Sequence, residues 1–332
     1  GVIKHAAELL PFSIDSVVEQ KLSRVDIFDH DNNLHFIEER SIPVLFMVMR
    51  ADFDNFISSK AVEKGAVVHD ESEVIGLENF RDYVDVKTRN ETFRARFVIA
   101  ADGATGISTK CLGVKNKLVK VPALEIETIV NENISNLYNA AARFDYGLIP
   151  FGYAWVFPKK EHLSIGAAFM KKTNQSLHIW LDKYFDILGI QEKDILAKEK
   201  HGYLIPLALK RSACCSGRVL FAGDTLGLAD PITAEGISYA IESGQLAAAA
   251  LIESKLESAS VRQMYNEKLN GLYKELNGAK FLSYFVFGPN WIRKYLFKHY
   301  GKRLSGLMTD IITNEITYRS LVCNPMSYIK LL

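Results

Sequence analysis

The 21 glycines of this 332-residue chain contain no G-x-G-x-x-G spacing and no P-loop pattern, so no glycine-rich turn of the kind that cradles a pyrophosphate can be read from it. Cysteine is sparse as well. The four cysteines, Cys111, Cys214, Cys215 and Cys323, form no C-x-x-C, and the eight histidines stand singly. A disulfide framework and a Cys/His metal cluster are both excluded, and a reducing compartment is expected. The vicinal pair Cys214-Cys215 reads first as two small buried residues entering a strand, with redox activity as the second reading. Neither sign of charge dominates: 40 Lys and Arg face 39 Asp and Glu, a net charge of +1. That balance excludes the basic footprint of a nucleic-acid binder. No apolar run approaches the ~20 residues of a membrane-spanning helix, and no secretory signal opens the chain. The expectation is a soluble cytoplasmic protein, with peripheral membrane association left open.

What is present is a large apolar fraction, 48%, enough for two domains or one elaborated domain. The chain opens on Gly1 rather than Met, and "GVIKHAAELLPF" reads as a helix ending at Pro11; a segment upstream is expected to be missing. From residue 46, "FMVMRADFDNFISSKAVEKGAVVH" reads as strand, helix and strand, with Phe53, Ile57, Ala61 and Val62 near helical spacing, Gly65 as the cap and "AVVH" as a short β run. A hairpin about Arg89-Asn90 then leads into a buried strand, Phe97 to Ala101, that ends in Asp102-Gly103. Residues 114 to 170 alternate apolar and charged residues with period two and are rich in aromatics, which predicts an antiparallel sheet. A helix at about 175 to 189 follows, and after residue 250 the pattern is helical to the end.

One stretch carries chemistry. In "FAGDTLGLADPITAEGISYAIESGQ", residues 221 to 245, a short apolar strand ends in Gly223-Asp224 and a helix begins near Glu235-Gly236-Ile237. Its buried face is expected at Ile237, Ala240, Ile241, Gly244, Ala248 and Leu251. A carboxylate at a strand's C-terminal end lies where ligands sit in open α/β sheets. A bare glycine at a helix start offers N–H donors to an anion. The negative edge of a reduced flavin suits such a start, and its polyol suits Asp224; an ordinary strand–turn–helix, with Gly and Pro serving the turn, is the competing reading and by itself the stronger one.

With Arg50 before a helix, Asp102-Gly103 and Asp224 at strand ends, the order of these groups resembles one family: FAD-dependent oxidoreductases of the glutathione-reductase-like superfamily that share the aromatic-hydroxylase architecture. "RADFDNFISSKAVEKG" is similar to their R-x-x-F-D-x-x-L-x-x-x-A-x-x-x-G helix, "FVIAADGATG" to their second Asp-Gly motif and "VLFAGDTLGLADPITAEGI" to their flavin-binding Gly-Asp motif. "YAWVFPK", residues 153 to 159, together with "GLADPITAEGISYAIESG", residues 227 to 244, resembles the geranylgeranyl reductase family, with its Y-x-W-x-F-P and D-P-x-T-G-E-G-I. The fold this implies is α/β (α+β): a Rossmann-like FAD-binding domain lacking its first βαβ unit, an inserted antiparallel-sheet substrate domain and a C-terminal helical region. The domains implied are 1–23, 45–113 and 211–250 for FAD, 24–44 and 114–210 for substrate, and 251–332 for the helices.

By the same resemblance, Arg50 and the backbone of Val74 lie near the adenosine or pyrophosphate. Asp102 and Gly103 form the second strand-end motif, Asp224 holds ribityl or phosphate oxygens, and Pro231, Gly236 and Ile237 border the flavin ring. Tyr153, Trp155 and Phe157 line the substrate cavity; plain aromatic core is the competing reading. No catalytic side chain is singled out. The implied cofactor is FAD, with NAD(P)H or ferredoxin as electron donor, and the implied substrate is an isoprenoid lipid or prenylated pigment precursor whose C=C bonds are reduced. An electron-donor protein is a further partner. The stretch 281 to 303, with Trp291 and Tyr295 among Arg293, Lys294, Lys298, Lys302 and Arg303, is the candidate membrane contact, with an amphipathic helix packed on the domain as the favoured competing reading. Departures from the family are Gly106 and Thr109 where Ser and Arg are usual, and Ala234 in place of the first Gly of T-G-E-G. Two alternatives stay open: a flavin monooxygenase or halogenase acting on an aromatic substrate, and a non-catalytic remnant that no longer binds FAD fully.

Overall fold

The structure is a computed structural model and describes residues 1–116 and 118–323; the last part of the expected C-terminal helical region, 324–332, lies outside the described residues. The chain gathers into two compact units. The first comprises Gly1–Phe53, Val121–Leu204 and Gly278–Leu332, the second Asp54–Lys120 and Ile205–Asn277.

In the first unit the period-two alternation becomes a seven-stranded sheet. Its strands run in the order Ile195–Leu207, Val119–Val130, Leu163–Phe169, Gly152–Pro158, Ala142–Tyr146, Arg24–Asp29, Leu34–Glu39. The pair Ala142–Tyr146 and Arg24–Asp29 is parallel. Every residue of Leu163–Phe169 is buried, because both faces are covered. On one face the helix Leu177–Leu188 places Leu177, Leu181, Tyr184 and Leu188 against Ala154, Val156, Ile165 and Ala167. This helix ends at Gly189, whose φ of +70° is the left-handed cap that glycine accepts without a Cβ clash. The helix Asn290–Ile312 packs on the outer strand Leu34–Glu39, and Gly301 is required there: a Cβ would stand 2.1 Å from the Phe36 ring.

Beneath the sheet lies a buried charged network. Asp145, fully buried, accepts both guanidinium bonds of Arg143 at 2.8 Å, the Tyr184 hydroxyl at 2.5 Å and a hydrogen bond with His30 Nε2 at 2.7 Å. Burial would raise the carboxyl's pKa, but Arg143 and the other donors overcome it and hold the group below its ordinary value.

The second unit contains a hairpin sheet, Val74–Asn79, Val84–Thr88 and Thr92–Ala95, and a three-stranded sheet of Cys215–Ser216, Val219–Phe221 and Val98–Ala100. Val219–Phe221 and Val98–Ala100 run parallel, so both Asp-bearing turns leave the same end of neighbouring strands. The helices Ile237–Glu253 and Ser258–Phe287 enclose the core, the latter through Tyr265, Leu269, Leu272 and Leu276 at three-and-four spacing. The Tyr265 hydroxyl donates to the carbonyl of Phe221 at 2.6 Å.

Four local expectations are corrected. Residues 2–8 form a two-residue strand, Val2–Ile3, paired with Leu45 and Phe46, and one helical turn, Lys4–Glu8, because the neighbouring strand captures the apolar start. "AVVH" is not a strand: Val67 and Val68 are exposed and pair with no strand among the described residues. In the helix Arg50–Glu63 only Phe53 is buried, while Ala61 and Val62 face solvent. In the helix Ile237–Glu253 the buried face is Ser238, Ser243, Ala247 and Ala250, with Ala240 and Ala248 exposed. That helix is small-residue-rich, so hydropathy could not set its rotation; the hydroxyl of Ser243, which accepts the Gly223 N–H at 2.9 Å, does.

Candidate functional site

In the second unit the candidate residues sit on turns. Gly223, at φ +57°, opens the one-turn helix Gly223–Thr225, and a Cβ there would lie 3.2 Å from that of Ala240. Asp224 therefore leaves the strand end beside the start of the helix Ile237–Glu253, whose N-cap, Gly236, has no side chain. A Cβ at Gly236 would come within 3.4 Å of Asp224 Oδ1. Between them, buried Pro231 sits in a turn closed by Asp230, whose Oδ1 accepts the N–H of Ile232 at 2.6 Å and of Thr233 at 3.1 Å. Ala234 completes the turn at φ +59°. The family's glycine at this position would hold the left-handed backbone without strain.

Glu235 is a residue that sequence reasoning passed over. Its carboxylate accepts the N–H of Ser238 at 2.7 Å and the Ser238 hydroxyl at 2.5 Å, and a backbone hydrogen bond from Ile237. Burial nevertheless pushes it up to about 7, with the charge of nearby Asp230 adding to the shift. The helix start is thus an anion-receptive end that already carries a carboxyl group titrating near neutrality. Its signal in the sequence was a Glu three residues before Ser238, the reverse order of a capping box.

Asp102 serves its own loop. Its carboxylate accepts the Ser108 N–H at 2.8 Å, the Ser108 hydroxyl at 2.6 Å and the Thr225 hydroxyl at 3.2 Å, while the Gly103 N–H donates to Thr225 Oγ1 at 3.0 Å. Thr225 ties the two strand-end turns together. Gly106, a departure from the family, has a reason in this loop: a Cβ would stand 2.1 Å from Asp102 Cγ. Gly103, at φ +79°, has no atom within 4 Å of its Cβ position. Val74 is exposed at the head of its strand, where a register shift separates it from Gly76. The bare helix start at Gly236 beside Asp224 Oδ1, and the open backbone at Gly103, would suit the polyol and ring-edge groups of FAD.

Of the predicted cofactor residues, Arg50 alone belongs to the first unit, at the head of the helix Arg50–Glu63. That unit also carries the predicted substrate face. Tyr153, Trp155 and Phe157 form a ridge along one strand, each paired with a small residue on the next: Ala168, Gly166 and Ser164. Gly166 is obligatory, since a Cβ would meet Trp155 Cζ2 at 2.1 Å. On the other side Tyr146 and Phe144 flank the ridge, and Phe287 stacks on Tyr153 at 6.4 Å between centroids. Tyr153 and Trp155 are buried and Phe157 partly so.

Beyond the small residues the same face turns polar. Glu125 and Glu127 pair with Gly166 and Ser164, the Ser164 hydroxyl donates to Glu125, and buried Lys159 is ion-paired with Glu127. His162 Nε2 lies 3.0 Å from Glu127. Burial works to raise Glu127, but His162 and Lys159 overcome it and hold the carboxyl at about 2. These residues were missed in the sequence, although Glu125 and Glu127 alternate with apolar neighbours in "LEIETIV".

The predicted membrane stretch is only partly as expected. Trp291 and Tyr295 are exposed, with Phe281 and Tyr284. Arg293 is not a free surface cation: it is buried and paired with Asp31, Lys294 is 3.4 Å from the same carboxylate, and Lys302 is 2.8 Å from Glu38. Packing against the outer strand takes these charges. No helix among the described residues is long and apolar enough to cross a membrane.

Comparison with known proteins adds identity to this geometry. Residues 14–174 match the FAD binding domain family. Digeranylgeranylglycerophospholipid reductase 3 of Methanosphaera stadtmanae is 27% identical over 81% of this chain and 68% of its own length. The digeranylgeranylglycerophospholipid reductase of Thermoplasma volcanium is 26% identical over 84% and 71%. Among solved structures, a geranylgeranyl bacteriochlorophyll reductase-like protein from Thermoplasma acidophilum superposes with a TM-score of 0.71 at 20% identity, covering 96% of this chain and 81% of the other. A halogenase, PltM, in complex with phloroglucinol and FAD gives 0.68 at 16% identity over 95% and 69%. The fold is shared by both groups, whereas the sequence likeness runs to the reductases, and this chain is similar to FAD-dependent oxidoreductases of the geranylgeranyl reductase kind.

Proposed function

We propose that the protein reduces C=C bonds of geranylgeranyl or related isoprenoid chains on a lipid or pigment precursor. The observation that carries this reading is the sequence likeness to digeranylgeranylglycerophospholipid reductases over more than four fifths of the chain. When bound, FAD supplies the hydride for one carbon of the double bond, with a proton reaching its neighbour. Asp224 accepts hydrogen bonds from the polyol hydroxyls, and the backbone of Gly236 and Ile237, with Pro231, borders the ring. Arg50 and the backbone of Val74 serve the adenosine and pyrophosphate end, and Asp102 holds Gly103 and Thr225 in place. Tyr153, Trp155 and Phe157 hold the isoprenoid chain and exclude water from it, an apolar task that suits an apolar ridge. NAD(P)H or ferredoxin supplies the electrons. Exposed Trp291 and Tyr295 support an interfacial contact during extraction of the lipid.

The test is anaerobic turnover with FAD, a chemical reductant and a geranylgeranyl lipid, followed by mass spectrometry. Expected is a gain of two hydrogens per double bond saturated. Oxygen-dependent halogenation or hydroxylation of an aromatic substrate, with no change in the lipid, overturns the reading in favour of the halogenase-like chemistry. Replacing Asp224 with Ala is expected to weaken FAD binding by about 10-fold or more, the usual cost of losing hydrogen bonds to a charged group. Failure of vesicles of anionic lipid to retain the protein in a flotation assay removes the membrane contact alone.

A further inference from the structure

Cys214 and Cys215 take no part in the site described above; Cys214 is in the second unit's core with Cys215 packed against it, as two small residues entering a strand should be, and both also reach a cavity. Their sulfurs lie side by side at 3.8 Å, and both line a cavity of about 380 Å³ with Ser212, Arg262, Gln263 and Asn266. Asn266 Oδ1 is 3.9 Å from Cys214 Sγ and is itself held by Arg211 at 2.6 Å. Two thiols, two arginines close by and an opening large enough for a small solute make a pocket for a polar, electrophilic ligand that a neighbouring thiolate can attack. We propose that Cys214 and Cys215 form a reversible oxidation site for small hydroperoxides.

In the first step the Cys214 thiolate attacks the peroxide oxygen, the O–O bond breaks, and Cys214 becomes a sulfenic acid while the departing alkoxide or hydroxide takes a proton from solvent. In the second, Cys215 loses its proton and attacks Cys214 Sγ, expelling hydroxide, which leaves as water. The two thiols lose two electrons and the hydroperoxide gains them: two RSH and ROOH give RSSR, ROH and H2O. Arg262 and Arg211 favour the thiolate, and the hydrogen bond with Cys215 lowers the Cys214 thiol to about 7 while burial opposes it. Cys215 is shifted the other way, chiefly by Cys214, so it keeps its proton while Cys214 is the thiolate. Adjacent Cα atoms are about 3.8 Å apart, closer than in ordinary bridges, so the disulfide is strained and easily reduced.

Exposed Cys111 and Cys323 serve as internal references in the unaltered chain and are replaced by Ser only in the background that carries the Cys214 and Cys215 variants. Hydrogen peroxide is added in small excess, and thiols are counted and mapped by peptide mass. Expected is loss of two hydrogens from the peptide carrying residues 214 and 215, reversed by dithiothreitol, at about 10-fold the rate of an ordinary cysteine, the ratio of thiolate populations. Cys215→Ser is expected to stop at a sulfenic acid on Cys214 trapped by dimedone, and Cys214→Ser to lose the fast reaction. The proposal is overturned if Cys111 in the unaltered chain oxidises as fast as the pair, or if Cys214→Ser reacts like Cys215→Ser. Because the unaltered chain carries the first comparison, failure of either variant to fold leaves a decisive result.

Discussion

The second unit carries its candidate residues on turns at strand ends, the first carries them in the middle of strands. Asp102, Gly103, Asp224 and Gly236 depend on backbone geometry: positive φ at Gly103 and Gly223, a bare helix start and short side-chain bonds to amides. Tyr153, Trp155 and Phe157 depend on volume, each large ring facing a small partner across the ladder. A polar cofactor with hydroxyls and phosphates is held by directed donors and acceptors, and an apolar chain by packed surface. The two constructions should therefore fail for different reasons. All three tryptophans, Trp155, Trp180 and Trp291, fall in the first unit, so tryptophan fluorescence follows that unit, and on the proposed reading flavin binding reports mainly on the turns of the other.

The largest effect is expected from Asp145→Ala, which leaves the half-buried Arg143 without its carboxylate; about 3 kcal/mol of stability should be lost, read as a lower urea midpoint by tryptophan fluorescence. An unchanged midpoint would show that the network is not what supports the sheet. Gly166→Ala overpacks the ridge against Trp155 and should cost about 1–3 kcal/mol, with an altered Trp155 emission and FAD affinity preserved. Loss of FAD affinity instead would erase the distinction between the units. In the other direction, Asp102→Ala removes the carboxylate that accepts the Ser108 N–H and hydroxyl and should cost about 1–3 kcal/mol, with weaker FAD binding and unaltered tryptophan emission. The smallest change is Ala234→Gly, which relieves a left-handed alanine and should add about 0.5–1 kcal/mol; a destabilised variant would mean the turn draws on the Ala234 methyl.

Glu235 offers a pH test of the same contrast. Its folded value is raised from 4.5 to about 7, so the folded state binds more protons than the unfolded between those values, and stability falls as pH rises across that window. Glu235→Gln should flatten the fall. A variant whose urea midpoint keeps the same pH slope would assign the slope to another group.

Turn chemistry was the more legible part of the sequence. Gly65 does cap its helix, with its N–H donating to Val62 O at 2.9 Å, and the helix after Gly236 does begin at Ile237. Local backbone rules fix such points within a few residues. The period-two run gave the sheet, and "YAWVFPK" its aromatic ridge. What escaped was set by distant partners: Arg293 is claimed by Asp31, Lys159 by Glu127, and Asp102 by Ser108 and Thr225. The rotation of the helix Ile237–Glu253 was lost for a related reason, because serine and alanine carry too little contrast in hydropathy to reveal which face a buried hydroxyl bond selects.

The bond from Thr225 to Asp102 joins residues 123 positions apart, and the parallel pairing of Val219–Phe221 with Val98–Ala100 closes the same loop. Most of the sheet of the first unit is threaded between those two strands. Closing so long a loop gains nothing until both ends are in place. The two Asp-bearing turns can consequently meet only after the whole stretch between Ala100 and Val219 has been synthesised.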